Sequence, residues 1–271
     1  PDGSGFYNSK NISLAQNRLA IIDTLGGKQP MASENNRYNI VFNGEIVNFK
    51  SIRKNLSDLG YVFKNNSDTE VLLVSYQHYG EKCVDILNGM YSFAIHDNKN
   101  DEIFIARDPL GIKPLYYSLN DSFFTFSSEV KSFYKTGLLK FKPNANYFDE
   151  FLIFGNITGE DTLHYGIKEL LPGHFGLFKN GHLETKRFWY PLKGEYDESI
   201  TMDDCINLIK YEINRVAEEW SLSDPGIGIS GLLSGGLDST IITSLMSDFT
   251  SEIDLYTFYT DLDKESDERE L

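Results

Sequence analysis

Leu233-Ser234-Gly235-Gly236-Leu237-Asp238-Ser239 joins a short apolar run to a helical pattern, and the class of the fold turns on it. Ahead of it, Ile227 to Leu233 is apolar and punctuated by glycine, as a buried strand is. Behind it, Ile241, Ile242, Leu245 and Met246 recur at the spacing of one helix face. Ile253 to Tyr259 reads as a second strand, so the stretch predicts a βαβ unit. Two glycines let the backbone approach a ligand closely, and a helix start offers free N–H groups and positive partial charge. An anion is expected there, with the pyrophosphate of a nucleotide as the best fit. A turn capped by Asp238 or Ser239 would explain one polar residue, but not two glycines framed by two serines and an aspartate. The common phosphate loop is excluded, because its G-x-x-x-x-G-K-[ST] spacing and its lysine are absent. Asp238 beside such a loop suits magnesium better than phosphate.

The bulk composition limits what else the chain does. Its 271 residues allow one or two domains, each able to bury a core. Forty acidic against 25 basic side chains give a formal charge of −15, which repels nucleic acid and anionic membrane. Neither is expected as a partner. No apolar run reaches the length of a membrane span and no signal peptide opens the chain, so a cytoplasmic setting is expected. Cys83 and Cys205 make no disulfide framework and are expected to be small core residues.

From the start, Pro1 to Gly5 reads as a turn string and Ile12 to Asp23 as a strand broken at Gln16-Asn17-Arg18. Arg18 stands alone among Leu14, Leu19, Ile21 and Ile22; it snorkels, pairs with a carboxylate, or grips a substrate carboxylate. Tyr38 to Phe42 is a strand running into Asn43-Gly44-Glu45, where Asn-Gly signals a tight hairpin. The same pair can present an amide and a glycine N–H side by side, as an oxyanion hole does. Phe49, Ile52, Leu56 and Leu59 follow helical spacing up to Gly60. Ser67 and Glu70 then match a capping box before Val71. Asp68 lies between them, placed to suit the helix dipole or to hold a substrate ammonium group. Strands dominate from Gly89, and a hairpin around Asn180-Gly181 closes an α+β domain over residues 1–190. His164, His174 and His182 fit no compact metal-ligand spacing and read as loop residues. A polar connection over 191–200 is the expected linker. From Thr201, Ile206, Ile209, Ile213, Val216 and Trp220 form a helical stripe expected to pack in a core.

Taken in order, Arg18 to Asp23, Asn43-Gly44-Glu45, Ser67 to Glu70, Ala106 to Tyr117, Leu171 to His174 and Ser234 to Ser239 resemble the glutamine-dependent asparagine synthetase family. The last string is similar to the pyrophosphatase loop S-G-G-x-D-S of enzymes that split ATP between its α and β phosphates. The resemblance covers nearly all of the chain. It implies an N-terminal-nucleophile glutaminase domain, an αββα sandwich, over residues 1–190. The start of an α/β, parallel-sheet ATP-pyrophosphatase (synthetase) domain would follow over 201–271. In that family an N-terminal cysteine attacks the glutamine amide with its own α-amine as base, and ammonia passes through a tunnel to the synthetase domain. By motif, Arg18 would grip the glutamine α-carboxylate, Asp68 its α-amino group, with Glu45 in the same site. Asn43 and Gly44 would hold the oxyanion. Ser234, Gly235, Gly236, Asp238 and Ser239 would bind ATP, with Leu232 near the adenine and Asp238 on magnesium. An acidic acceptor, aspartate or another carboxylate, would be adenylated and then amidated, releasing AMP and pyrophosphate. The resemblance also allows a homodimer.

The sequence departs from that pattern at three places. It opens at the Pro-Asp of the family's C-R-G-P-D string, it ends at Leu271 before the family's S-G-E-G-x-D-E segment, and it has Tyr259-Thr260-Asp261 where Ile-Gly-Phe is usual. The expectation is an active parent protein and an inactive chain as given. The alternatives are amidation of a sugar acid or β-amino acid, and a catalytically dead glutamine- or nucleotide-binding module.

Overall fold

A computed structural model describes residues 2–191, 194, 199–221, 227–250 and 252–258. The chain divides into two compact units, Pro1–Lys193 and Gly194–Leu271. Most of the 191–200 connection and Tyr259-Thr260-Asp261 lie outside the described residues.

The first unit opens with β1 (Gly3–Asn8) and β2 (Ser13–Arg18), an antiparallel pair that sets Gly3 opposite Arg18. The stretch expected as an opening turn is thus half strand, because β2 supplies a partner for its backbone. There follow β3 (Met31–Ala32), β4 (Tyr38–Ile46), α1 (Phe49–Asp58) and α2 (Asp68–Tyr79). After a 3-10 turn at Gly80–Ile86 come β5 (Gly89–Asp97), β6 (Glu102–Arg107), β7 (Tyr116–Leu119) and β8 (Phe124–Ser127). The short helices α3 (Lys131–Lys135) and α4 (Phe148–Phe154) lead to β9 (Lys168–Glu169), β10 (His174–Lys179) and β11 (His182–Arg187).

The main sheet has the order β11-β10-β6-β5-β4-β3 and is antiparallel throughout. Side chains alternate across it, and both faces are covered. Ile40 and Phe42 of β4, Phe93 and Ile95 of β5, and Phe104 and Ala106 of β6 face Phe49, Ile52 and Leu56 of α1 and Val71 to Val74 of α2. Val41, Ala94, Ile103 and Ile105 alternate with them onto the other face, against Leu115 and Tyr117 of the β8-β7-β9 sheet. This double cover makes the middle of each central strand apolar, as at Ile40 to Phe42, Phe93 to Ile95 and Ile103 to Ala106. The unit is the expected α+β sandwich, with helices on one face of the main sheet and a second sheet on the other.

The Asn43-Gly44 pair is not a hairpin. β4 runs through it in unbroken register with β5, Asn43 opposite Ser92 and Gly44 opposite Tyr91. What the glycine provides is proximity rather than reversal. At φ +146°, a Cβ on Gly44 would lie 2.0 Å from the Met90 carbonyl oxygen. Gly89, at φ +149°, would in turn meet the Glu45 carbonyl at 2.1 Å. His174 and His182 likewise sit at strand starts rather than in loops.

In the second unit, α5 (Met202–Trp220) opens on a full capping box between Thr201 and Asp204. β12 (Ile229–Leu232), α6 (Leu237–Met246) and β13 (Ile253–Tyr256) form the expected βαβ unit, with Ile229 opposite Ile253 in a parallel pair. The apolar stripe of α5 is covered only towards its C-terminal end. Val216, Ala217 and Trp220 meet Ile242 and Met246 of α6, while Ile206 and Ile209 stay 42% and 57% exposed. Cys83 is a core residue as expected, but Cys205 on α5 is half-buried. Among the described residues no helix is long and apolar enough to cross a membrane.

Gly44→Ala should lower the unfolding free energy of the first unit by about 2 kcal/mol or more, since the methyl collides with backbone that no rotamer can move. Gly3→Ala, with nothing within 4 Å of its Cβ, should change it by less than about 0.5 kcal/mol in the same urea titration.

Candidate active site

Arg18, Asn43, Gly44, Glu45 and Asp68 line one cavity of about 170 Å³ in the first unit, with Gln16, Gln29, Thr69 and Lys113. Three elements supply the first five. Arg18 comes from the end of β2, Asn43 to Glu45 from β4, Asp68 from the first turn of α2.

Arg18 neither snorkels nor pairs with a carboxylate. Its guanidinium donates to the carbonyls of Ile22 (2.7 Å), Asp23 (3.0 Å) and Thr24 (3.3 Å), which spends three of its five donors. Buried Gly27 gives it room: a Cβ there would lie 2.4 Å from Arg18 Nη2.

Asp68 is 4% exposed, because α2 is buried on every side over its first two turns. One carboxylate oxygen accepts the Ile46 N–H at 3.1 Å, tying the helix start to the end of β4. Burial pushes its carboxyl up to about 6, partly offset by the Ile46 and Thr69 N–H groups and by Arg18. Glu45 is also raised by burial, against the pull of Lys113. The capping box expected beside Asp68 is only half formed. Ser67 Oγ accepts the Glu70 N–H at 3.2 Å, but Glu70 reaches back to the N–H groups of Lys64 and Asn65. Asn65 Oδ1 takes the Ser67 N–H instead, at 2.9 Å.

Asn43 Nδ2 donates to Ser128 Oγ at 3.3 Å, which holds the amide beside the cavity. Two glutamines complete the floor. Gln29 Oε1 accepts the Phe42 N–H at 2.6 Å, and Gln16 Nε2 donates to the Phe42 carbonyl at 3.0 Å. They do at this edge what a neighbouring strand would do, since β3 ends its pairing at Ile40. Sequence reasoning missed Gln16, Gln29, Gly27 and Lys113 as site residues. No local signal marked the glutamines, which lie in Gln16-Asn17-Arg18 and Lys28-Gln29-Pro30.

In the second unit, Ser234 to Ser239 forms the turn from β12 into α6. Gly235 takes φ +80°, and the N-cap residue Gly236 has no side chain to bond the first turn of the helix. Ser239 Oγ accepts the Ser234 N–H at 3.2 Å and lies 3.1 Å from Ser234 Oγ, so the two serines close the loop. Asp238 and Leu232 are exposed beside it. Among the described residues, no group of three or more His, Cys, Asp or Glu side chains could hold a metal.

Comparison with known proteins bears on both units. A family model described as "Glutamine amidotransferase domain" matches residues 1–189, and one described as "Asparagine synthase" matches residues 226–271. "Asparagine synthetase [glutamine-hydrolyzing] 3" of Bacillus subtilis is 35% identical over 248 residues, covering 90% of this chain and 40% of that protein. The like-named protein of Arabidopsis thaliana is 32% identical, covering 90% and 37%. The chain thus spans about two-fifths of the length of these relatives. A solved "allosteric regulatory enzyme of purine biosynthesis" superposes with a TM-score of 0.49 at 18% identity, over 90% of this chain and 50% of that one.

Because the folded state favours protonated Asp68, this carboxyl adds stability below its ordinary value near 3.8 and loses it as pH rises through about 6. Asp68→Asn should therefore be more stable than wild type at pH 7, on the order of 1–3 kcal/mol. That gain should vanish below about pH 4 in denaturant titrations run across the range.

Proposed function

The chain belongs to the glutamine amidotransferase domain family, and on that premise we propose that its first unit binds glutamine for hydrolysis within an ATP-dependent amide ligase. The observation that carries this reading is the convergence of Arg18, Asn43, Gly44, Glu45 and Asp68 on one cavity. An α-amino acid is a zwitterion, and this cavity opposes a guanidinium to two carboxylates. Arg18 takes the α-carboxylate with its two unspent donors, and Asp68 takes the α-ammonium, assisted by Glu45. The amide then lies against Asn43 and Gly44, whose N–H groups stabilise the oxyanion that forms on nucleophilic attack. The nucleophile in this reading is the N-terminal cysteine of the family. Cys83 cannot replace it, since it is fully buried and its thiol is pushed up by burial.

The second unit is read as the nucleotide half. The uncapped start of α6 and the left-handed Gly235 supply the backbone N–H groups that a pyrophosphate needs. Ser234, Gly236 and Ser239 shape this loop, and Leu232 borders the adenine. Asp238 offers one carboxylate, which suits magnesium held jointly with phosphate oxygens rather than in a protein cage. When bound, ATP supplies the adenylyl group that makes a carboxylate an electrophile. Aspartate is the proposed acceptor, asparagine the product.

Full-length protein given glutamine, aspartate and Mg-ATP should release AMP and pyrophosphate, and release of ADP and phosphate would overturn the proposal. In the same assays Arg18→Ala should raise the glutamine KM while ammonia-dependent synthesis persists. Asn43→Ala should cut glutaminase turnover by about 10²–10³, as loss of an oxyanion donor does. Asp238→Asn should abolish pyrophosphate release and leave glutamine hydrolysis intact.

A further inference from the structure

The stretch Ala106 to Tyr117 is densely organised. Asp108, with no solvent exposure, accepts backbone N–H groups from Tyr91 (3.2 Å), Leu110, Ile112 and Lys113 (3.0 Å each). Its own N–H donates to the Tyr91 carbonyl at 2.8 Å. Arg107, 6% exposed, donates at 2.8 Å to the carbonyls of Gly111, Lys113 and Leu170, and pairs with Glu169 at 2.7 Å. Ser92 Oγ donates to the Pro114 carbonyl at 3.1 Å. A buried charge is costly unless its lone pairs or protons are satisfied, and here backbone groups do so for both Arg107 and Asp108.

What this cluster holds is the backbone of one residue. Lys113 is pinned at both its N–H and its C=O, and it is the one residue of the 107–114 stretch that lines the cavity. The anchor is β5 at Tyr91 and Ser92, the residues opposite Gly44 and Asn43. Glu45 is thus bordered by Lys113, with Asp68 and Arg18 as the other charged groups of the cavity. Met90, its partner across β5, is uncharged, and Gln16, Asn17, Gln29 and Thr69 are neutral.

We propose that Lys113 is a specificity-determining residue of this site: its ammonium, brought to the same cavity by a pinned backbone, is the counter-ion that keeps Glu45 a carboxylate there, so that the cavity presents two anions to a zwitterionic amino acid. The inference rests on the glutamine reading above. Without Lys113, the burial that favours protonated Glu45 would lose its opposing charge, and the hold on the ligand ammonium would rest more on Asp68. Asp68 itself goes neutral near pH 6.

The test is calorimetric titration of L-glutamine into wild type, Lys113→Met and Lys113→Arg between pH 5 and 8.5, using the chain and the full-length protein. Wild type should bind more weakly below about pH 6. In Lys113→Met, where Glu45 has lost its neighbouring cation, the weakening should set in at higher pH than in wild type. Lys113→Arg should follow wild type. In a Glu45→Gln background, Lys113→Met should cause no further shift, which a purely structural role for the lysine would not predict. Superimposable profiles for wild type and Lys113→Met, with glutamine bound by both, would overturn this inference alone. Failure of wild type to bind glutamine at any pH would overturn it together with the glutamine reading.

Discussion

The site depends on how closely β4 and β5 approach at one end. Gly44 and Gly89 remove the two Cβ atoms that would collide with Met90 and Glu45 carbonyls, at 2.0 and 2.1 Å. Only then can β4 stay in register from Tyr38 to Ile46 and carry Asn43, Gly44 and Glu45 past the edge of the core. Everything else at the cavity is arranged against that strand. Asp68 is tied to Ile46, the two glutamines to Phe42, and the Arg107–Asp108 cluster to Tyr91 across the ladder.

A sheet covered on both faces leaves little water for polar groups near its middle, so most of them find a protein partner. Arg18 finds carbonyls, Gln16 and Gln29 find an unpaired strand edge, and Asp108 finds four N–H groups. These residues rigidify the walls. Asp68 and Glu45 differ from them, since burial raises both and the fold gives up stability to keep them in place. The proposed role in holding a ligand's ammonium group accounts for keeping them there.

Local rules failed where tertiary contact supplied a better partner. Asn-Gly is a hairpin signal only if the strand has nowhere to go, and β5 offered a full-length ladder through Ile46. The capping box lost one arm because Asn65 was nearer to Ser67, leaving Glu70 to tie down the preceding loop. Gly26-Gly27 signals a turn, but that signal does not say why Gly27 in particular must lack a side chain. It is small because a guanidinium folded back from residue 18 occupies the space, a contact no window of sequence contains.

The sequence by itself determined the α+β class of the first unit, the βαβ of the second, nearly every element and five residues that share a cavity. Hydrophobic period and glycine-framed loops are local, and local patterns survive folding. It also carried the ordered motifs by which the family is recognised. Tertiary structure alone decided that Asn43-Gly44 lies within a strand, that Arg18 spends most of its fork on carbonyls, and that Asp68 is raised. It also decided that Lys113 lies beside Glu45, although 68 residues of chain separate them. Charge and proton affinity depend on what surrounds a group, and those surroundings exist only once distant segments have packed.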